Sequence, residues 1–160
     1  MSTKILFVCT GNTCRSSMAE ALARALAEKR GGQALDLEIF SAGVAAGTGE
    51  PASANAVKAL LEDEINLSGH LARQLNQDLI NEVNLILTMT RRHKDIILQY
   101  VPEAKGKVSL LWEYAYGQER DISDPFGQPL EVYRQCAREL RECIDKVLVK
   151  LLSKTSYSEG

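Results

Sequence analysis

Apolar and polar residues follow one another along this chain in blocks whose period switches between that of a strand and that of a helix. Lys4-Ile-Leu-Phe-Val-Cys9 is a nearly continuous apolar run, the pattern of a central parallel strand buried on both faces. From Ser16 or Ser17 onward, Met18, Ala21, Leu22, Ala25 and Leu26 recur at helical spacing, and Ser17 with Glu20 has the form of a capping box. Gly31-Gly32 is expected to stop that helix, and Leu35 to Ser41 alternates as a second strand. A loop rich in Ala and Gly follows over 42–51. Pro51 is expected to open a helix carrying Ala56, Val57, Leu60 and Leu61. Leu67 to Gln74 reads as a connecting loop before a short helix near 77–82. Leu85 to Met89 is the third strand, Arg91 to Tyr100 a helix, and Lys107 to Trp112 the fourth strand.

A polar loop from Gly117 to Gly127 holds Asp121, Asp124, Pro125 and Phe126. Leu130, Tyr133, Ala137, Leu140, Ile144, Val147 and Leu151 then mark one face of a long closing helix. With no internal repeat and no linker, the order β-α-β-α-β-α-β-α predicts an α/β fold. It is a single domain over residues 1–154, a four-stranded parallel sheet with helices on both faces and a Rossmann-like winding, followed by a flexible tail over 155–160. Right-handed crossovers put Cys9 at the carboxyl edge of the sheet, where open α/β folds bind ligands.

Composition narrows this picture. At 160 residues, 45% hydrophobic and 25% charged, one core is expected. A formal net charge of -2 speaks against a basic nucleic-acid surface and an acidic solvating tail alike. The cluster Arg91-Arg92-His93-Lys94 reads as a solvated helix face. No apolar segment approaches membrane-spanning length and none has the form of a signal peptide, so a cytoplasmic location, with neither membrane nor nucleic acid as partner, is the expectation. Cys136 and Cys143 lie seven apart on the closing helix, about 10 Å along its axis, too far to bridge, and read as core thiols. No cysteine or histidine spacing suits zinc, so neither a metal nor a cofactor is expected.

The chemistry concentrates in Cys9-Thr10-Gly11-Asn12-Thr13-Cys14-Arg15-Ser16, between the first strand and the first helix. A cysteine and an arginine with five residues between them suit phosphoryl transfer. A loop of that length can curl its N–H groups around three oxygens and return the guanidinium as a bidentate clamp. Loop amides, a helix N-terminus and an arginine all favour the anionic, nucleophilic form of a thiol. Gly11 offers backbone freedom, Asn12 tolerates a left-handed conformation, and Ser16 can donate its hydroxyl to Cys9 as leaving group. Cys14 shares the loop, and a neighbouring thiol can trap an oxidised cysteine as a disulfide, which makes it a candidate redox partner of Cys9.

These residues resemble the low-molecular-weight protein tyrosine phosphatase family. The likeness runs from Cys9-Thr-Gly-Asn-Thr-Cys-Arg-Ser16 through Ser41-Ala-Gly43 and Gly69-His-Leu-Ala-Arg-Gln74 to Asp124-Pro-Phe126. The resemblance implies Cys9 as nucleophile, Arg15 as phosphate clamp, and Asp124 as the acid that protonates the leaving group and then activates water. It implies Asn12, Ser16, Ser41 and His70 as a hydrogen-bond network holding the loop, although a loop histidine satisfied by a backbone carbonyl would look the same. Asp121 is the competing acid, and lacks a following proline. Thr13, where tyrosine-directed members usually carry Ile, and Asp-Pro-Phe in place of Asp-Pro-Tyr resemble the bacterial protein-arginine phosphatase branch.

A Thr13 hydroxyl can accept a hydrogen bond from the guanidinium of phosphoarginine, whereas Ile offers only apolar contact. Phe126 is then the one clear aromatic wall, since Val44-Ala-Ala-Gly-Thr48 supplies none. The expectation is a cysteine-dependent phosphatase acting on phosphorylated proteins, monomeric, with phosphoarginine favoured and phosphotyrosine the alternative. Arsenate reduction would need resolving cysteines that residues 75–100 do not contain. A phosphate-binding module without catalysis would not need the full set of Cys9, Arg15 and Asp124.

Overall fold

The computed structural model describes residues 2–30 and 36–159, with side chains through Ser153. Four parallel strands, β1 (Thr3–Cys9), β2 (Leu37–Gly43), β3 (Leu85–Thr88) and β4 (Val108–Leu110), lie in the order β2-β1-β3-β4. The central β1 pairs with β2 along its full length, Thr3 with Leu37 through Cys9 with Gly43, and with β3 from Ile5 to Val8. Its apolar run is split by the two-residue strand period. Ile5, Phe7 and Cys9 enter one core with Met18, Leu22, Leu140 and Ile144. Leu6 and Val8 enter the opposite core with Ile80, Ile97 and Val108. Each such full burial contributes about 1.5–3 kcal/mol, so β1 anchors both layers and fixes where its last residue, Cys9, sits.

Helices α1 (Arg15–Lys29) and α6 (Leu130–Glu159) pack on the first face, joined by α2 (Ala54–Leu61) and α5 (Leu111–Tyr116). On the second face lie α3 (Gln77–Glu82) and α4 (Arg91–Tyr100), and a short 3-10 turn over Pro102–Lys107 leads into β4. None of the described helices is long and apolar enough to cross a membrane. The expected stop at Gly31-Gly32 and the start of the second strand at Leu35 lie outside the described residues. Helix α6 runs to Glu159, so the stretch expected as a tail is helical backbone up to Gly160, which also lies outside.

Three boundaries differ from the sequence reading. Helix α1 starts at Arg15 with Cys14 as its N-cap, and there is no capping box: Ser17 Oγ donates to Cys14 O at 3.0 Å, while Glu20 accepts from Ser41 Oγ at 2.7 Å. Pro51 does not open α2. It pairs with Leu71 in an extended bridge, and Ser53 becomes the N-cap of a helix that starts at Ala54. The fourth strand ends at Leu110 because Glu113, three residues on, accepts from Leu110 N at 3.2 Å and turns Leu111 and Trp112 into helix.

Candidate active site

The β1–α1 loop closes around Asn12, which has φ 60 and is fully buried. That left-handed turn is the one expected of Asn. Gly11 is not in the left-handed region, and a Cβ there would meet only Thr13 Oγ1 at 3.7 Å, so the backbone freedom expected of it is not drawn on. The glycine the loop requires is Gly43 at the end of β2. A Cβ there would sit 2.4 Å from Thr10 O and 2.9 Å from Asn12 N, so only glycine lets the neighbouring strand approach the loop backbone.

The Asn12 side chain uses every group it has. Its Nδ2 donates to Ser16 Oγ at 2.8 Å and to Ser41 Oγ at 2.9 Å, and its Oδ1 accepts from Arg73 N at 2.9 Å. Its carbonyl accepts from His70 Nε2 at 2.6 Å. Asn12, Ser16, Ser41 and His70 are thus brought together in one network, extended by Glu20 and the backbone of Arg73. Cys9, buried at the strand end, has Ser16 Oγ at 2.8 Å from its sulfur and receives Asn12 N at 3.3 Å. Ser16 already accepts from Asn12, which leaves its hydrogen for Cys9 Sγ; the contact to Ala42 O is longer, at 3.4 Å. Donors aimed at a sulfur suit a thiolate.

Arg15 is only 5% exposed. Its Nη1 donates to Ile122 O at 2.9 Å, and its Nη2 lies 3.5 Å from Asp124 Oδ2. Its Nε is buried with no hydrogen-bond partner among the described residues. A buried guanidinium N–H left free, on a side chain lining a cleft, suits an anionic acceptor. Asp124 is placed by the same loop: Ile122 N donates to Met89 O at 2.8 Å, and Phe126 N donates to Asp124 Oδ1 at 3.1 Å. Asp121 is turned away, its Oδ1 accepting from Arg91 N at the start of α4 at 2.9 Å.

A cleft of about 250 Å³ opens above the loop, lined among others by Cys9, Thr13, Arg15, Glu50, Asp124 and Phe126. Thr10, Gly11 and Cys14 also border it. The Thr13 hydroxyl has only a 3.8 Å approach to Cys14 Sγ among the described contacts. Phe126, exposed, is the aromatic wall, and Ala45 and Gly47 also line the cleft.

Tyr133, Ser53, Glu50 and His93 escaped the sequence reading. Tyr133, read only as part of the closing helix's apolar face, lies with its hydroxyl 3.4 Å from both Cys14 Sγ and Ser53 Oγ, and Ser53 Oγ is 3.3 Å from the same sulfur. Burial, followed by the bond to Cys14, raises the Tyr133 phenol above its usual range. Glu50 puts a second carboxylate on the cleft wall. His93, expected on a solvated face, is instead 2% exposed and bonded to Thr10. Cys136 and Cys143 are buried, as core thiols were expected to be, and burial is the chief cause that pushes both up to about 12.

An α/β sheet in order 2-1-3-4 whose first strand ends on a cysteine, with an arginine opening the next helix and an aspartate arriving from a distant loop, defines a small phosphatase-like protein. Residues 4–157 match the low molecular weight phosphotyrosine protein phosphatase family, and the chain belongs to it. It is 43% identical over 150 residues to the protein-arginine-phosphatase of Bacillus subtilis (strain 168), covering 94% of this chain and 97% of that one. It is 35% identical over 133 residues to the low molecular weight protein-tyrosine-phosphatase Wzb of Escherichia coli (strain K12), covering 83% and 84%. Among solved structures it superposes with a TM-score of 0.89, at 40% identity and over 93% of this chain and 95% of the other, on a serine-substituted YwlE arginine phosphatase whose active-site serine is phosphorylated.

Proposed function

We propose that this protein is a protein-arginine phosphatase working through a phosphocysteine. The observation that carries the reading is that Cys9 and Arg15, on one loop, and Asp124, more than a hundred residues further along the chain, line one cleft together with Thr13. In the first step Cys9 Sγ attacks phosphorus while Arg15 and the loop N–H groups hold the phosphoryl oxygens. The S–P bond forms, the P–N bond breaks, and Asp124 gives its proton to the departing guanidine, which leaves as a cation. In the second step the Asp124 carboxylate takes a proton from water. The O–P bond forms, the S–P bond breaks, and Ser16 stabilises the released thiolate as phosphate leaves.

The preference for arginine rests on charge and on Thr13. The Glu50 carboxylate on the wall complements a guanidinium better than a neutral aryl group, and Thr13 offers the guanidinium an acceptor. The similarity to protein-arginine phosphatases points the same way. Replacing Thr13 by Ile removes the acceptor and leaves Cys9, Arg15 and Asp124 in place. A hydrogen bond to a charged group contributes about 1.5–3 kcal/mol, so kcat/KM on phosphoarginine protein falls roughly tenfold to a hundredfold, while phosphotyrosine turnover holds or rises. Measuring both substrates side by side on both proteins decides the matter. A wild-type enzyme that prefers phosphotyrosine returns the chain to the tyrosine-directed reading, which the aromatic wall of Phe126 and the similarity to Wzb favour.

The same loop supports a redox reading. Peroxide converts a Cys9 thiolate to the sulfenic acid, which the Cys14 thiol attacks, forming the disulfide and releasing water. Peroxide-inactivated enzyme is expected to recover with dithiothreitol, and a Cys14→Ser variant, whose untrapped sulfenic acid a second peroxide oxidises to the irreversible sulfinic acid, to lose that recovery. Undiminished recovery in the variant would remove Cys14 from this role.

A further inference from the structure

His93 occupies the first turn of α4, between the exposed Arg92 and the half-buried Lys94, yet its ring is buried. Its Nδ1 lies 2.9 Å from Thr90 Oγ1, and its Nε2 lies 2.9 Å from Thr10 Oγ1 in the catalytic loop. Burial, reinforced by Arg15 and Arg92, lowers the imidazole to about 4 despite Asp121 and Asp124, so at neutral pH it has one donor and one acceptor. The protonation pattern follows from the neighbours. Thr90, the N-cap of α4, already accepts the His93 backbone N–H at 3.3 Å, and its own hydroxyl hydrogen is used only if it donates to Nδ1. Nε2 then carries the ring proton and donates it to Thr10 Oγ1. The Thr10 hydroxyl hydrogen is consequently spent on neither His93 nor Thr90. Thr10 is exposed and lines the cleft beside Cys9 and Arg15.

We infer that His93 is a positioning residue: the relay Thr90–His93–Thr10 holds the Thr10 side chain as an acceptor from the ring and turns its hydroxyl hydrogen into the cleft, as a further donor to a phosphoryl oxygen. The inference rests on the reading of the cleft as a phosphoryl site. It assigns a side-chain role to Thr10 beyond its backbone N–H, and a role in substrate binding to a helix residue outside the loop.

The test uses inorganic phosphate as competitive inhibitor of aryl phosphate hydrolysis, with the full chain and four variants: Thr10→Val, His93→Leu, His93→Gln and Thr10→Val/His93→Leu. A lost donor to a charged oxygen is expected to weaken phosphate inhibition about tenfold in Thr10→Val and in His93→Leu. The double variant is expected to be no worse than either single one, because both remove the same hydrogen bond. Gln, whose amide N–H can take the place of Nε2–H, is expected to restore inhibition to within about threefold. The shape of the kcat/KM pH profile should stay the same in His93→Gln, since a neutral relay exchanges no proton during turnover.

Phosphate inhibition unchanged in Thr10→Val overturns the inference. So do additive losses in the double variant, or a folded His93→Gln as impaired as His93→Leu. Should His93→Leu fail to fold, Thr10→Val and His93→Gln decide alone. A wild-type protein that phosphate does not inhibit overturns the phosphoryl reading itself, which separates the two failures.

Discussion

Cys9→Ser is expected to abolish turnover while leaving the fold and phosphate binding in place. The serine hydroxyl fits where the thiol sits, between Ser16 Oγ and Asn12 N, so the change in stability should be within about 1 kcal/mol. The loss is kinetic. A serine hydroxyl is a weaker nucleophile at neutral pH than a thiolate and, once phosphorylated, a far poorer leaving group than sulfur, so the second step suffers most. The variant, incubated with a phosphoarginine protein, is therefore expected to accumulate a phosphoryl group on residue 9, seen by mass spectrometry. The phosphorylated serine in the similar YwlE structure is a state of this kind. Turnover above about 1% of wild type in clean preparations would show that Cys9 is not the nucleophile.

Which parts of this arrangement were legible beforehand follows from how local their causes are. β1 was readable because five apolar residues in a row, Ile5 to Cys9, suit a strand buried on both faces of a parallel sheet, and that burial places Cys9 at the edge. α3 and α4 fall where they were expected, near 77–82 and over 91–100, and the structure opens each with a capping side chain, Asn76 and Thr90. The boundary between β4 and α5 was not, because Leu110-Leu111-Trp112 satisfies either period. Only the reach of Glu113 back to Leu110 N decides it.

The glycine that matters was hidden for a related reason. Sequence shows that a loop contains Gly11, but not that the tight approach falls on Gly43, which lies in another strand and meets Thr10 only after β1 and β2 pair. His93 was misread because a basic run looks solvated at the level of composition. The side of the helix each residue faces is set by Thr90 at the cap, and that side meets the catalytic loop through the sheet.

The acid assignment depends on the same kind of long-range placement, and there the structure separates two aspartates three residues apart. Asp121 Oδ1 accepts from Arg91 N at the positive end of α4, where a carboxylate stabilises the helix. Asp124 lies in the cleft, one oxygen held by Phe126 N and the other 3.5 Å from the Arg15 clamp, and the buried Pro125 stiffens the turn between. Asp124→Asn keeps the shape and removes the transferable proton, so kcat on phosphoarginine protein is expected to fall by roughly 10²–10⁴-fold. The loss should shrink on aryl phosphates whose leaving groups need no proton, down to what the second step, where Asp124 serves as base, still costs. Asp121→Asn is expected to keep turnover and to lose about 0.3–1 kcal/mol of stability through α4. The reverse pattern, with Asp121→Asn inactive and Asp124→Asn competent, would hand the acid role to Asp121. That outcome would require the loop to turn over against the two bonds, from Ile122 N to Met89 O and from Arg15 Nη1 to Ile122 O, that now hold it.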